Sequence, residues 1–445
     1  MNTWWCEHAV VDGRVRDDVS VSTAGGRIEK IDIGVAAPAE ATQLHGLTLP
    51  GFANAHSHAF HRALRSRVQA ARGTFWTWRD VMYRAAERLD PESYHRLARG
   101  VFAEMACAGM TVVGEFHYVH HPVEGTRYSD PNAMGGALLA AADEAGIRIT
   151  LLDTLYLHAG LEAGGHRPPE GVQRRFTDGS VDAWVERVDS IEVNDRQLLG
   201  AAVHSVRAVD PDAMAAVADW ARRTSAPIHA HLSEQRAENE QCRAAFGCTP
   251  TELLDAQGLL DTNFTAVHAT HLTETDIARL GSCQCTICMC PTTERDLGDG
   301  IGPTPELAAA GAELCLGSDS HAVIDQMEEA RAVELDERLR SEVRGVHGAN
   351  DLLHMATLAG HRSLGWDDAG VLAVGARADL VTIDLHTVRS AGAPAALGVE
   401  TAVFASTAAD IHSVVIDGEP VVVDGRHVRI DTAHELATSI EELFE

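Results

Sequence analysis

Histidine and aspartate collect where apolar runs end. "LPGFANAHSHAFHRAL" closes one run with His56 and His58, and "HAHLSE" closes another with His229, His231 and Glu234. "AVHATH" carries His268 and His271, and "LGSDSH" carries Ser318, Asp319 and His321. His56 and His58 are two apart, so on a strand both side chains point to one face. A single histidine on an apolar strand is usually a satisfied core residue, but four strand ends carrying imidazoles and a carboxylate are hard to attribute to packing. That donor set suits a divalent metal. His61 lies past the first run, in a loop over the mouth, and is expected not to be a ligand.

For these groups to meet, the runs must end at one place. Eight are nearly continuous in apolar residues: "GLTLPGFANAH", "MTVVGEFHY", "IRITLLDTLYL", "QLLGAAVHSV", "APIHAHLSE", "NFTAVHATH", "QCTICMCP" and "AELCLGSDS". Strands buried on both faces of a parallel barrel have this texture, and their carboxyl-terminal ends share one mouth. Helices are expected between them. "DPESYHRLARGVFAEMACAG" opens with Asp90 as N-cap and Pro91 in the first turn, and "DPDAMAAVADWARRTSAP" repeats the opening at Asp210 and Pro211. Residues 60–89 form a long excursion after the first strand and are expected to fold over the mouth.

The two ends of the chain differ from this pattern. "VVDGRV" and "GGRIEKIDIG" near the start, and "GARADLVTID" and "HSVVIDGEPVVVDGRHV" near the end, read as short strands joined by turns. The expected fold is therefore α/β, a (β/α)8 TIM-like barrel over 49–367, with a small β-sandwich domain from 1–48 and 368–430 and a C-terminal helix over 431–445.

With 65 acidic against 36 basic residues, the 445-residue chain carries a formal charge of -29, which argues against nucleic-acid and anionic-membrane partners. The first residues lack a basic, then apolar, leader pattern, and a cytoplasmic location is expected. Nine cysteines are scattered among buried-looking segments and are expected as free thiols. Cys283 and Cys285 should face one side of their strand and Cys288 and Cys290 the other, so a zinc site on all four is not expected. The acidic stretch 325–342 reads as a solvated helix with i, i+4 charge pairs.

The order HxH after strand one, His then Glu three residues on after strand five, His after strand six and Asp after strand eight resembles the amidohydrolase superfamily, in its mononuclear deaminase branch. "GVLAVGARADLVTID" resembles that superfamily's return into its small β domain. Binuclear members usually bridge their metals through a carboxylated lysine on strand four. Here "QLLGAAVHSV" has none and Lys30 is the only lysine of the chain, so one metal is expected.

The resemblance implies His56, His58, His231 and Asp319 as ligands of one Zn²⁺, although the ligand types also admit Fe²⁺ or Mn²⁺. Zinc would draw the pKa of a water from about 15.7 toward roughly 7. His268 and Asp319 would orient or deprotonate that water, and Glu234 would carry a proton to the departing nitrogen.

"NAHSHAFHRAL", "TFWTWRDVMY", "GEFHYVHH" and "CPTTERDLGDGIGP" further resemble the formimidoylglutamate deiminases of histidine degradation. That resemblance implies a substrate with two carboxylates, N-formimino-L-glutamate, converted to N-formyl-L-glutamate and ammonia. Arg79 and Arg207 would bind the carboxylates, with Tyr118 and His204 as further contacts. His61 stands where those enzymes have glutamine and would replace it as a substrate contact. Another deaminase or a chlorohydrolase of the same branch, acting on a nucleobase or triazine, is the alternative. The resemblance also suggests a homodimer.

Overall fold

The computed structural model describes residues 2–69 and 75–445. Eight parallel strands follow in chain order around the sheet: Phe52–Ser57, Met110–His117, Arg148–Leu155, Gln197–Val203, Ile228–Leu232, Phe264–His268, Thr286–Met289 and Glu313–Leu316. They are the eight expected runs. Every residue of Met110–His117 and Arg148–Leu155 is buried, as strands covered on both faces require.

The sheet closes between its first and last strands. Asn54 exchanges two hydrogen bonds with Ser318, at 2.7 and 2.9 Å, and the Asp319 amide donates to His56 O at 3.0 Å. Gly317 permits this approach, because a Cβ there would lie 2.7 Å from His56 Cβ. The seam thereby brings His56, His58 and Asp319 side by side.

Both expected caps form. Asp90 accepts from the Ser93 amide at the start of Pro91–Cys107, and Asp210 from the Ala213 amide at the start of Pro211–Thr224. Of the excursion after the first strand, a short 3-10 helix spans Ala59–Leu64 and a helix spans Phe75–Arg88; residues 70–74 lie outside the described residues.

The chain ends share one eight-stranded, mostly antiparallel sheet, in which Thr42–Pro50 pairs with Leu380–Ile383. It carries its own small core, including Trp4, Val19, Val21, Leu44 and Leu380. The run "GLTLPGFANAH", expected as a single barrel strand, divides at Gly51, with Leu49 and Pro50 ending a strand of the small sheet. A Cβ at Gly51 would collide with Thr111 and Asp379, so the crossing is packed too closely for a side chain. Buried Arg148 on the third barrel strand pairs with Asp379, and with Asp417 at 2.9 Å, tying barrel to sheet. A helix over Thr432–Phe444 ends the chain.

The acidic helix departs from expectation. Gln326–Ser341 does form charge pairs such as Arg338 to Glu334, but Glu329, Glu334 and Glu337 are buried. Glu334 also accepts from the amides of Gly345 and His347 at 2.6 and 2.8 Å, which replaces water as its solvation. Cys288, Cys290 and Cys315 pack with Ala55, Val267 and Ala359, while Cys285 lies in the main core and Cys283 packs against it. The four clustered cysteines thus divide between two faces. Among the described residues, no helix is long and apolar enough to cross a membrane.

Candidate active site

The strand ends deliver their polar groups to one point. His56 Nε2 lies 3.2 Å from His231 Nε2 and 3.4 Å from Asp319 Oδ1, and His58 Nε2 lies 3.4 Å from the same oxygen. His58 Nδ1 donates to Phe116 O and His231 Nδ1 to His204 O, each at 2.9 Å. Those carbonyls fix the proton on Nδ1 and leave the Nε2 lone pairs aimed inward.

Burial favours the neutral rings. Desolvation lowers His58 and His231 below the usual histidine range and takes His56 to about 3. Burial works against the Asp319 carboxylate, yet His56, His58 and His268 hold its pKa well below the ordinary value. Converging imidazole lone pairs beside a carboxylate are a donor set suited to a metal ion. Four donors at about 2.05 Å from a tetrahedral zinc would be about 3.3 Å apart. The three separations given match, and His56, His58 and His231 also bring their donor atoms together, so these histidines and Asp319 could hold a metal ion.

Strand ends are bent to achieve this. His268 and Asp319 adopt positive φ of 70° and 41°, and Ser233, just before Glu234, has φ of 50°. Left-handed non-glycine residues cost on the order of 1–3 kcal/mol each and persist where surrounding structure enforces them. His268 points Nε2 toward Asp319 Oδ2 at 3.9 Å and Nδ1 toward Glu294 Oε1 at 3.3 Å. Burial opposes its charge, but Glu294, Glu234 and Asp319 together push it up to about 10. Glu234 is itself buried, and desolvation raises its pKa against the pull of His268 and Arg207.

His58, His61, Arg79, Tyr118, His204, Arg207, His231, Glu234, His268 and Asp319 line one cavity, and His56 Nε2 lies 3.2 Å from His231 Nε2. His61 is nearer the centre than a loop over the mouth would suggest. It belongs to the 3-10 helix Ala59–Leu64, its ring nitrogen is 3.1 Å from Tyr118 Oη, and it groups with His58 and Asp319. Arg207 donates to Glu238 at 2.9 Å and has a nitrogen 3.8 Å from Glu234. Arg79 comes from the helix Phe75–Arg88 and stacks toward the Tyr83 ring.

Sequence reasoning missed Glu238, Glu294, Tyr156 and Arg167. Glu238 stands four residues after Glu234, a helical repeat that could have signalled it. Arg167 lies in the hairpin formed by Gly160–Glu162 and Gly165–Arg167, whose sequence carries no comparable signal. A second histidine group, His117, His120 and Asp153, also brings donor atoms together. There the Arg187 guanidinium grips Asp153 at 2.7 and 2.8 Å, and Trp184 Nε1 donates to it at 2.9 Å. The positive centre is already built in.

A parallel barrel with an imidazole and carboxylate cluster at its carboxyl mouth defines the class of barrel hydrolases that can hold a metal. The chain belongs to the amidohydrolase family, which matches residues 47–421. It is 38% identical over 390 residues to a formimidoylglutamate deiminase of Pseudomonas aeruginosa, covering 85% of each chain. It is 30% identical over 376 residues to a 5-methylthioadenosine/S-adenosylhomocysteine deaminase of Pelotomaculum thermopropionicum, covering 84% of this chain and 80% of that one. Among solved structures, an amidohydrolase from Brucella melitensis superposes with a TM-score of 0.92 at 30% identity over the full length of both chains. The protein is accordingly a hydrolase acting on C–N bonds.

Proposed function

We propose that this chain is a zinc enzyme that converts N-formimino-L-glutamate and water to N-formyl-L-glutamate and ammonia in histidine degradation. The observation that carries the reading is a cavity shared by an imidazole cluster that could hold a metal and three arginines, Arg79, Arg167 and Arg207. In a chain of charge -29, such a local concentration of guanidinium suits a dicarboxylate. The 38% identity to a formimidoylglutamate deiminase supports the same choice.

His56, His58, His231 and Asp319 would hold the ion. When bound, it supplies Lewis acidity that activates a water and polarises the amidine. Arg79 and Arg207 hold the two carboxylates, which fixes the formimidoyl carbon relative to Glu234 and His268. Tyr118, His204 and His61 contribute hydrogen bonds along the chain of the substrate. Asp319 and His268 orient the attacking water. Its oxygen bonds to the formimidoyl carbon while Glu234 takes up one water proton and passes it to the terminal nitrogen, and the second water proton follows by the same path. The bond from carbon to that nitrogen breaks and ammonia leaves, with the glutamate nitrogen retained.

The test is ammonia release by the purified metalloprotein against a panel of N-formimino-L-glutamate, other linear amidines, guanine, methylthioadenosine and a triazine. Turnover of N-formimino-L-glutamate above the rest is expected. Turnover of a heterocycle with none of the amidine would overturn the reading in favour of a ring deaminase, a possibility the 30% identical nucleoside deaminase keeps in view.

A further inference from the structure

We infer that the short helix Pro291–Leu297 following the seventh barrel strand positions the reaction's proton-handling pair, with Glu294 holding a proton on His268 Nδ1 and fixing the orientation of the ring. This rests on the role given above to His268. The seventh strand, Thr286–Met289, contributes no donor to the metal cluster, yet the residues after it touch His268 and both chain neighbours of Asp319. Glu294 Oε1 lies 3.3 Å from His268 Nδ1 and 3.0 Å from the Cys290 amide nitrogen, and the side chain is buried. The same Oε1 already accepts from the Cys290 amide, so it faces His268 Nδ1 as an acceptor, holding a proton there and leaving Nε2 facing Asp319.

Its neighbour Thr293 holds the backbone on either side of Asp319. Thr293 Oγ1 accepts from the Ser320 amide at 3.1 Å, lies 3.0 Å from Ser320 Oγ and donates to Ser318 O at 3.3 Å, bracketing Asp319 from both sides. Thr292 secures this helix from behind, its amide donating to Glu329 at 2.9 Å and its hydroxyl bonding to the same buried carboxylate. Three consecutive residues thus span from the acidic helix to His268 and Asp319. Both these active-site residues hold positive φ, so their positions depend on such bracing.

Glu294 is a positioning residue, and its loss should appear in turnover, not in binding. In Glu294→Gln, the Cys290 amide still requires an acceptor, which keeps the amide oxygen turned toward His268. In Glu294→Ala no acceptor remains. Partners that orient groups at metal sites typically contribute about 10–100-fold.

We expect kcat to fall about 100-fold in Glu294→Ala and about 10-fold in Glu294→Gln, with KM and metal content unchanged in both. Wild-type kcat in either variant, or loss confined to KM or metal content, would overturn the inference. If Glu294→Ala does not fold, the Gln variant decides by the same criteria. Wild-type protein inactive on N-formimino-L-glutamate would instead defeat the substrate reading. The variants would then be compared on whichever panel compound releases ammonia, so the two failures are separable.

Discussion

The barrel contains two clusters with nearly the same ingredients and opposite purposes. His56, His58, His231 and Asp319 meet at the carboxyl mouth, whereas His117, His120 and Asp153 meet on the outer side of neighbouring strands, under the helix Val181–Val188. In the second, Arg187 from that helix saturates Asp153 and also reaches Asp178 at 2.9 Å, and Asp178 pairs with His121 at 3.1 Å. Both carboxylates thus find their cation within the protein. In the first, the Asp319 carboxylate is faced by the Nε2 atoms of His56 and His58, with His231 Nε2 beside His56, a donor set that could hold a metal ion. Similar residues therefore become scaffold or metal centre according to which partner faces the carboxylate.

The largest expected effect distinguishes chemistry from binding at the first cluster. Glu234→Gln keeps shape and metal but cannot carry the proton, and kcat should fall about 10²–10⁴-fold. A mutant with wild-type kcat would remove Glu234 from the proton path.

Arg187→Met attacks the second cluster and leaves Asp153 and Asp178 buried without their cation. A loss of about 3–5 kcal/mol in urea unfolding is expected, with metal content unchanged. The pH dependence has a defined sign. Burial works against the Asp153 carboxylate, but Arg187 outweighs it and holds the pKa down to about 2. Its stabilisation is present above the unfolded value of about 3.9 and is lost as pH falls toward 2. Wild-type protein should show this acid-induced loss and Arg187→Met should show less of it; equal acid profiles would contradict the pairing.

Arg207→Ala removes one carboxylate partner, for which KM should rise about 10–100-fold while metal stays bound. An unchanged KM would reassign Arg207 to holding Glu238 alone. Smallest is His61→Gln, expected to leave kcat/KM within about threefold, because the amide can also donate to a carboxylate. Loss of metal in that variant would show that His61 belongs to the first cluster as a ligand.

Much of this arrangement was legible because barrel strands are buried on both faces, so their apolar runs stand out and their polar ends stand out more. Asp90 and Asp210 marked helix starts through chemistry local to the chain. What escaped depends on contacts across long sequence separations. Nothing near Glu329 or Glu334 in sequence reveals Thr292 or the amides of Gly345 and His347, so a buried helix face read as a solvated one. Arg187 lies 34 residues from Asp153, and their pairing has no local signature. "GLTLPGFANAH" is apolar on both sides of Gly51, which hides the passage from the small sheet to the barrel. The proximity of His61 to His58 and Asp319 follows from the tight 3-10 turn at Ala59–Leu64, which strand periodicity does not anticipate.

The most direct test of the contrast between the clusters is metal content by elemental analysis of wild type, His58→Ala and His120→Ala after purification with limiting zinc. About one equivalent per chain is expected in wild type and in folded His120→Ala, with little left in His58→Ala. Two equivalents in wild type, or metal that survives in His58→Ala and disappears in His120→Ala, would contradict the assignment of one cluster to the ion and the other to the scaffold.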